Sequence, residues 1–212
     1  MITLHDYWRS SAAYRLRIAL KLLKMPYTSR PVDLLSGAHK SAKYLDLNPQ
    51  GLVPTLEIDG QTMTQSLAIL EYLCEEHHAQ FLPQDAQGRA RVRAISYAIA
   101  MEIHPVCNLS VAKYAAEASG GNISMAAWMK RFIRPGLEAV ERLLESDQTG
   151  TYCHGDRISM ADICLVPQLY NADRWEVETH DLTRVATIGA RLRAKPAIEA
   201  ASPENNAPES AD

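Results

Sequence analysis

The stretch Tyr7-Trp8-Arg9-Ser10-Ser11-Ala12-Ala13-Tyr14-Arg15-Leu16-Arg17-Ile18-Ala19-Leu20 changes its hydrophobic period partway along, and that change decides the fold. Leading into it, Ile2 to Tyr7 reads as a short strand. Within and beyond it, Ala13, Leu16, Leu20 and Leu23 recur at helical spacing, and Ser10 and Ser11 stand where a helix takes its N-cap. Pro26 stops that helix, and Tyr27 to Val32 reads as a second strand. The chain therefore opens with a β-α-β unit.

Working outward, Ala42 to Leu47 reads as a short helix ended by Asn48-Pro49. Thr55 to Ile58 and Gln61 to Thr64 flank Asp59-Gly60, the signal of a type I′ hairpin turn. Ser66 is expected to cap a helix running to about Glu76, with Leu67, Leu70 and Leu73 on one face. A β-α-β unit followed by β-β-α is the order of a thioredoxin-like sheet with helices on its faces. His77 to Gly88 reads as a linker, and beyond it the strand signals fade. Arg89 to Ala116, Asn122 to Glu145, Ser159 to Asn171 and Thr183 to Ala194 all read as helices, the third opening on the capping-box-like Ser159-Met160-Ala161-Asp162. The expected architecture is α/β plus all-α: a thioredoxin-like domain over residues 1–80, an α-helical bundle over 88–200, and a flexible tail over 201–212.

Composition narrows the partners. A formal net charge of -3 over 212 residues gives no support to nucleic acid, which needs a basic surface. Apolar runs such as Ala161 to Pro167 are far too short to span a membrane, and the start lacks the pattern of a secretory signal. A cytoplasmic protein is expected. Cys74, Cys107, Cys153 and Cys164 form no C-x-x-C pair, so neither a redox dithiol nor a zinc ribbon is indicated. His104 and Cys107 have metal-ligand spacing without a second pair, and no metal is expected.

Three constellations carry candidate chemistry. Ser10 and Ser11 lie on a strand-to-helix turn, where free N–H groups and the helix dipole favour an anion such as a thiolate. Simple helix capping is the alternative. Val53-Pro54 sits directly before a strand; a cis bond there would leave the Val53 backbone facing out to pair with a peptide-like ligand. Gln65-Ser66 opens a helix, where an amide, a hydroxyl and free N–H groups suit an α-carboxylate, or where Ser66 merely caps.

Together, Trp8-Arg9-Ser10-Ser11, Asn48-Pro49-Gln50 with Val53-Pro54, Gln65-Ser66, and Gly155-Asp156 with Ser159, Ala161 and Asp162 resemble the cytosolic glutathione transferases. The run Ser10-Ser11-Ala12-Ala13-Tyr14-Arg15-Leu16-Arg17-Ile18-Ala19-Leu20 is most similar to the zeta class, which includes maleylacetoacetate isomerases, and to bacterial glutathione-dependent maleylpyruvate isomerases. One position departs: the cysteine of the zeta Ser-Ser-Cys signature is Ala12 here, which excludes any role needing that thiol. The resemblance implies glutathione as cofactor, with Ser10 nearest its thiolate, Ser11 in support, and Val53 as backbone partner of the cysteinyl unit. It further implies Gln65 and Ser66 at the γ-glutamyl end and His39 near the glycine end, in a homodimer whose active site lies in the cleft between domains.

A small dicarboxylate substrate calls for cationic forks. Arg9 stands beside the candidate thiolate site, and Arg174 matches an arginine that the resemblance places over the active site; a surface ion pair is the other fate open to each. Pro105 breaks a helix and offers His104 and Asn108 as substrate contacts, with a kink histidine as the plain alternative for His104. The implied reaction is cis-trans isomerisation of maleylacetoacetate or maleylpyruvate, in tyrosine or other aromatic catabolism. Conjugation of electrophiles to glutathione is the alternative chemistry, and a non-catalytic docking module the alternative role.

Overall fold

In the computed structural model, which describes residues 1–208, β1 (Thr3–Asp6) and β2 (Thr28–Pro31) run parallel and are joined by α1 (Ser11–Leu22). After the short α2 (Ala42–Leu45), β3 (Thr55–Ile58) pairs antiparallel with β1, and β4 (Gln61–Thr64) pairs antiparallel with β3. The sheet order is β2-β1-β3-β4. The hairpin turn forms as its sequence dictates, with Asp59 at φ 53 and Gly60 at φ 77, the two positive values a type I′ turn requires. The thioredoxin-like order read from the sequence is the one observed.

Packing of this unit centres on α1 and α3 (Ser66–Glu76). Leu16, Ile18, Ala19 and Leu20 of α1 and Ile69, Leu70 and Leu73 of α3 are all fully buried, with Leu4 and Leu56 from the two central strands. Two arginines lie inside this apolar set. Arg17, 0% exposed, donates from Nη1 to both oxygens of Asp6 at 2.7 and 2.8 Å, from Nη2 to the Trp8 carbonyl at 2.8 Å, and from Nε to the Ala201 carbonyl at 2.9 Å. Burial pushes the Asp6 carboxyl up, and the Arg17 guanidinium opposes that shift.

The Ala201 contact corrects the expected domain limits. The described chain divides into Met1–Ala79 together with residues 194–208, and Gln80–Arg193. Residues 194–200, expected in the helical bundle, belong instead with the sheet, because α9 (Pro196–Glu199) packs on α1 and buries Ile198. The expected tail is anchored in its first part. Ala201 and Pro203 are buried, and the Asn206 amide donates to the carbonyls of Ala200 and Ser202 at 3.0 and 2.7 Å. Residues 209–212 lie outside the described residues.

The second unit is helical. It contains α4 (Ala86–Tyr97), a wider π-type turn over Ala98–Ile103, α5 (Leu109–Ala118), α6 (Met125–Leu143), α7 (Met160–Arg174) and α8 (Thr183–Arg193). The expected break near Pro105 is present, with His104 N–H reaching back to the Ile99 carbonyl at 3.0 Å. Almost every residue of α7 up to Leu169 is buried, and its start is fixed by Asp162. That carboxylate accepts from the Ser159 N–H and hydroxyl at 2.8 and 2.6 Å and from the Cys153 N–H at 2.9 Å, so the expected capping residue also secures the preceding loop. Trp128 anchors α6 by donating from Nε1 to the Val106 carbonyl at 2.9 Å. Among the described residues, no helix is long and apolar enough to cross a membrane.

Removing one partner of a buried ion pair leaves an uncompensated charge. Asp6→Asn is expected to lower stability by about 3–5 kcal/mol, read from the urea unfolding midpoint at neutral pH.

Candidate active site

Strand register gathers the candidate residues of the first unit. His5 pairs with Thr55, and Thr55 pairs with Thr64. The C-terminal end of β1, the start of β3 and the end of β4 are therefore neighbours at one end of the sheet. From that end the chain leads into Ser10, comes in from Val53-Pro54, and leads on into Gln65-Ser66.

Ser10 is the N-cap of α1, with φ -71 and ψ 118, and its Oγ accepts from the Ala13 N–H at 3.2 Å. Capping uses a lone pair and leaves the hydroxyl proton available to donate. The capping and anion-binding readings of Ser10 are thus compatible. Ser11 is the first helical residue and is buried, while Ala12 is half-buried. Arg9 is exposed and stacks on its neighbour, its guanidinium carbon 4.1 Å from the centre of the Trp8 ring.

The Val53-Pro54 bond is cis, as the sequence reading anticipates. Two buried side chains hold the loop before it. Tyr44 donates from its hydroxyl to the Leu52 carbonyl at 2.8 Å, and Asn48 donates from its amide to the same carbonyl at 2.7 Å while its Oδ1 takes the Gln50 N–H at 3.0 Å. Gly51 is required here. Its φ is +57, and a Cβ would lie 2.9 Å from the His39 carbonyl oxygen. That close approach brings the His39 segment against the loop. His39 Nδ1 is buried and has no hydrogen-bond partner. Burial first, and the charge of Lys40 second, depress the His39 pKa and favour a neutral imidazole.

Ser66, expected as an N-cap, is instead the first residue of α3. Gln65 occupies the cap position with φ 67 and ψ 106, and makes no side-chain cap bond there. Its amide donates to Gln50 Oε1 at 2.8 Å, joining the two segments. Beneath it, buried Arg15 donates from Nη1 to Ser66 Oγ at 3.1 Å. Sequence reasoning passed over Arg15, Arg17 and Tyr44. The available signal was two charged residues inside an otherwise apolar helical run, Tyr14 to Leu20.

The remaining candidates belong to the helical unit. Asn108 caps α5, its Oδ1 accepting from the Ser110 N–H at 3.0 Å, so that oxygen is already committed. His104 is half-buried in the turn before it. Arg174 ends α7, exposed, with its guanidinium carbon 5.5 Å from the Trp175 ring centre. Neither Arg9 nor Arg174 pairs with a carboxylate among the described residues, whereas Asp173 next door is taken by Arg193 at 2.7 Å. Each is an arginine laid over an adjacent indole with its charged fork unspent. The surface ion pair weighed for both is not what the structure shows. Burial pushes the Cys107 thiol up to about 11 and raises Cys153 as well, so neither offers a thiolate at neutral pH.

Comparison with known proteins gives the family. The family models for the N-terminal and C-terminal domains of glutathione S-transferase match residues 9–76 and 123–195. A maleylacetoacetate isomerase from Rhizobium meliloti (strain 1021) is 52% identical over 207 residues, covering 97% of each chain. A holo maleyl pyruvate isomerase, described as a bacterial glutathione S-transferase in the zeta class, superposes with a TM-score of 0.91 at 36% identity, covering 95% of this chain and 96% of that one. A maleylacetoacetate isomerase from Anaeromyxobacter dehalogenans 2CP-1, solved with dicarboxyethyl glutathione and citrate in its active site, gives a TM-score of 0.84 at 36% identity, covering 96% and 95%. The chain belongs to the glutathione S-transferase family, in the zeta-class group of the maleylacetoacetate isomerases.

Proposed function

We infer that this protein is a glutathione-dependent cis-trans isomerase acting on maleylacetoacetate, or on the closely related maleylpyruvate, to give the fumaryl product. The observation that carries the reading is the convergence of Ser10, Val53 and Gln65-Ser66 at one end of the sheet. It occurs in a chain that aligns over nearly its whole length with a maleylacetoacetate isomerase.

The residues present fit glutathione. The tripeptide offers a carboxylate at each end, a thiol and two amides. The chain offers the first turn of α3 with Gln65 and Ser66 for the γ-glutamyl carboxylate, and the Val53 backbone for the cysteinyl unit. His39 and its orphaned Nδ1 suit the glycine end. When bound, glutathione supplies a thiolate whose reversible addition to the cis double bond permits rotation and whose elimination returns the trans isomer.

What the chain itself contributes follows from its side chains. The Ser10 hydroxyl donates to the sulfur, and with the N-terminus of α1 it favours thiolate over thiol. Ser11 supports that turn from within the core. Arg9 and Arg174 grip the substrate carboxylates and stabilise negative charge developing on the carbonyl oxygen, with His104 and Asn108 as further substrate contacts. Arg can do this with two parallel hydrogen bonds, and its stacking on a tryptophan limits the side-chain freedom lost on binding. Family membership supports a homodimer and a cytoplasmic location; light scattering on the purified protein tests the first.

The central experiment follows isomerisation of both substrates by absorbance, with and without glutathione. Turnover that needs glutathione without consuming it is the expected result. Aryl halide conjugation with no isomerisation would replace the reading with that of a conjugating transferase. Ser10→Ala is expected to reduce kcat/KM by about a hundredfold, the scale for losing one donor to a developing anion. It should also move the alkaline-rising limb of the pH–rate profile upward by about one unit, because each unit corresponds to ~1.4 kcal/mol of lost thiolate stabilisation. Arg174→Ala is expected to raise KM for either dicarboxylate by about tenfold or more while leaving KM for glutathione unchanged.

A further inference from the structure

Arg15 lies on α1, is 2% exposed, and reaches across to the first residue of α3, where Nη1 donates to Ser66 Oγ at 3.1 Å. A guanidinium has donors and no acceptor, so this bond has only one direction. The Ser66 oxygen must accept. A serine hydroxyl has a single proton, and here that proton is not used on Arg15. The Ala13 N–H imposes the same division on Ser10 by donating to its Oγ at 3.2 Å. At both hydroxyls a donor-only neighbour occupies a lone pair and leaves the proton for something else.

We propose that Arg15 is a positioning residue for the glutathione site: by fixing Ser66 Oγ as an acceptor on its inner side, it commits the Ser66 proton to a carboxylate arriving at the start of α3. The inference rests on the reading of Gln65-Ser66 as the γ-glutamyl end of that site. It adds the cause of the preference for an anion there. Without Arg15 the hydroxyl would be free to rotate and to receive a ligand donor as readily as to offer its own proton. Buried charge reinforces the effect, since Arg15 brings a positive group beneath a helix N-terminus that already favours anions.

Calorimetric titration of the full-length protein with glutathione tests this, alongside its decarboxy analogue γ-aminobutyryl-cysteinyl-glycine. Arg15→Gln puts an acceptor opposite Ser66. It is expected to weaken glutathione binding about tenfold or more, the scale of one hydrogen bond to a charged group, and to leave the analogue nearly unaffected. The loss should appear in Kd and in KM for glutathione rather than in kcat, and Arg15→Lys, which is again donor-only, should recover most of it. In a Ser66→Ala background Arg15→Gln should add less than about twofold, because no hydroxyl is left to orient. A loss that persists in that background belongs to the charge of the guanidinium alone and overturns the proposal. Should Arg15→Gln fail to fold, Arg15→Met fills a similar volume without charge; weakening by about threefold or more that disappears in the Ser66→Ala background supports the proposal, and unchanged binding, or weakening that persists in that background, overturns it. Ser66→Ala with unchanged glutathione affinity overturns the reading of the site and this inference with it. Ser66→Ala weakened beside an unchanged Arg15→Gln overturns the inference alone.

Discussion

The guanidinium of Arg17 ties three separate parts of the chain to one buried group. It receives the end of β1 through Asp6, the turn that leads to Ser10 through the Trp8 carbonyl, and the C-terminal segment through the Ala201 carbonyl. All of this happens with the side chain fully buried. A buried ion pair is weak evidence for net stability, since desolvation offsets much of the attraction. Its contribution here is geometric. Four hydrogen bonds from one rigid planar group leave the Trp8 turn a single position relative to the strand before it, and Ser10 follows two residues later.

The sheet supplies the second constraint. With β3 antiparallel to both β1 and β4, one end of the sheet collects a strand exit, a strand entry and another strand exit. Ser10, Val53 and Ser66, distant in sequence, thereby become neighbours, and the irregular backbone this takes is confined to the loops beside them, at the cis Val53-Pro54 bond and at Gln65. The recruited positions are also ones where local geometry leaves polar groups with capacity to spare. Ser10 keeps a proton while capping, and Arg9 and Arg174 lean on tryptophans without meeting a carboxylate. Such partial satisfaction is tolerable because these groups are at or near the surface. Inside the core, by contrast, Asp162 is met by three donors.

Much of this was legible from residues alone. The Asp59-Gly60 turn, the Ser10 cap, the Asp162 box and the break at Pro105 each follow from a local preference strong enough to act without help, and each is where the sequence puts it. The failures share a different cause. Ser66 reads as a cap because local pattern reveals neither that Gln65 takes the non-helical position before it nor that Arg15 meets its oxygen from another helix. Residues 194–208 were divided between the bundle and a tail because polar composition gives no hint that Arg17 waits for the Ala201 carbonyl. Tyr44 gave no signal at all, its work being done through one hydroxyl on a carbonyl eight residues away. Polar side-chain contacts between separate segments leave no periodic trace, and here they account for what pattern reading missed.

That shared carbonyl has an electronic consequence. The Leu52 oxygen accepts from both Tyr44 and Asn48, so electron density is drawn along the peptide unit toward oxygen. Amide resonance carries the deficit to the nitrogen of the same unit, which is the N–H of Val53. Two side chains on one end of a peptide group thus sharpen the hydrogen at the other end. The Val53 N–H is thereby polarised from behind, by the buried side chains of Tyr44 and Asn48.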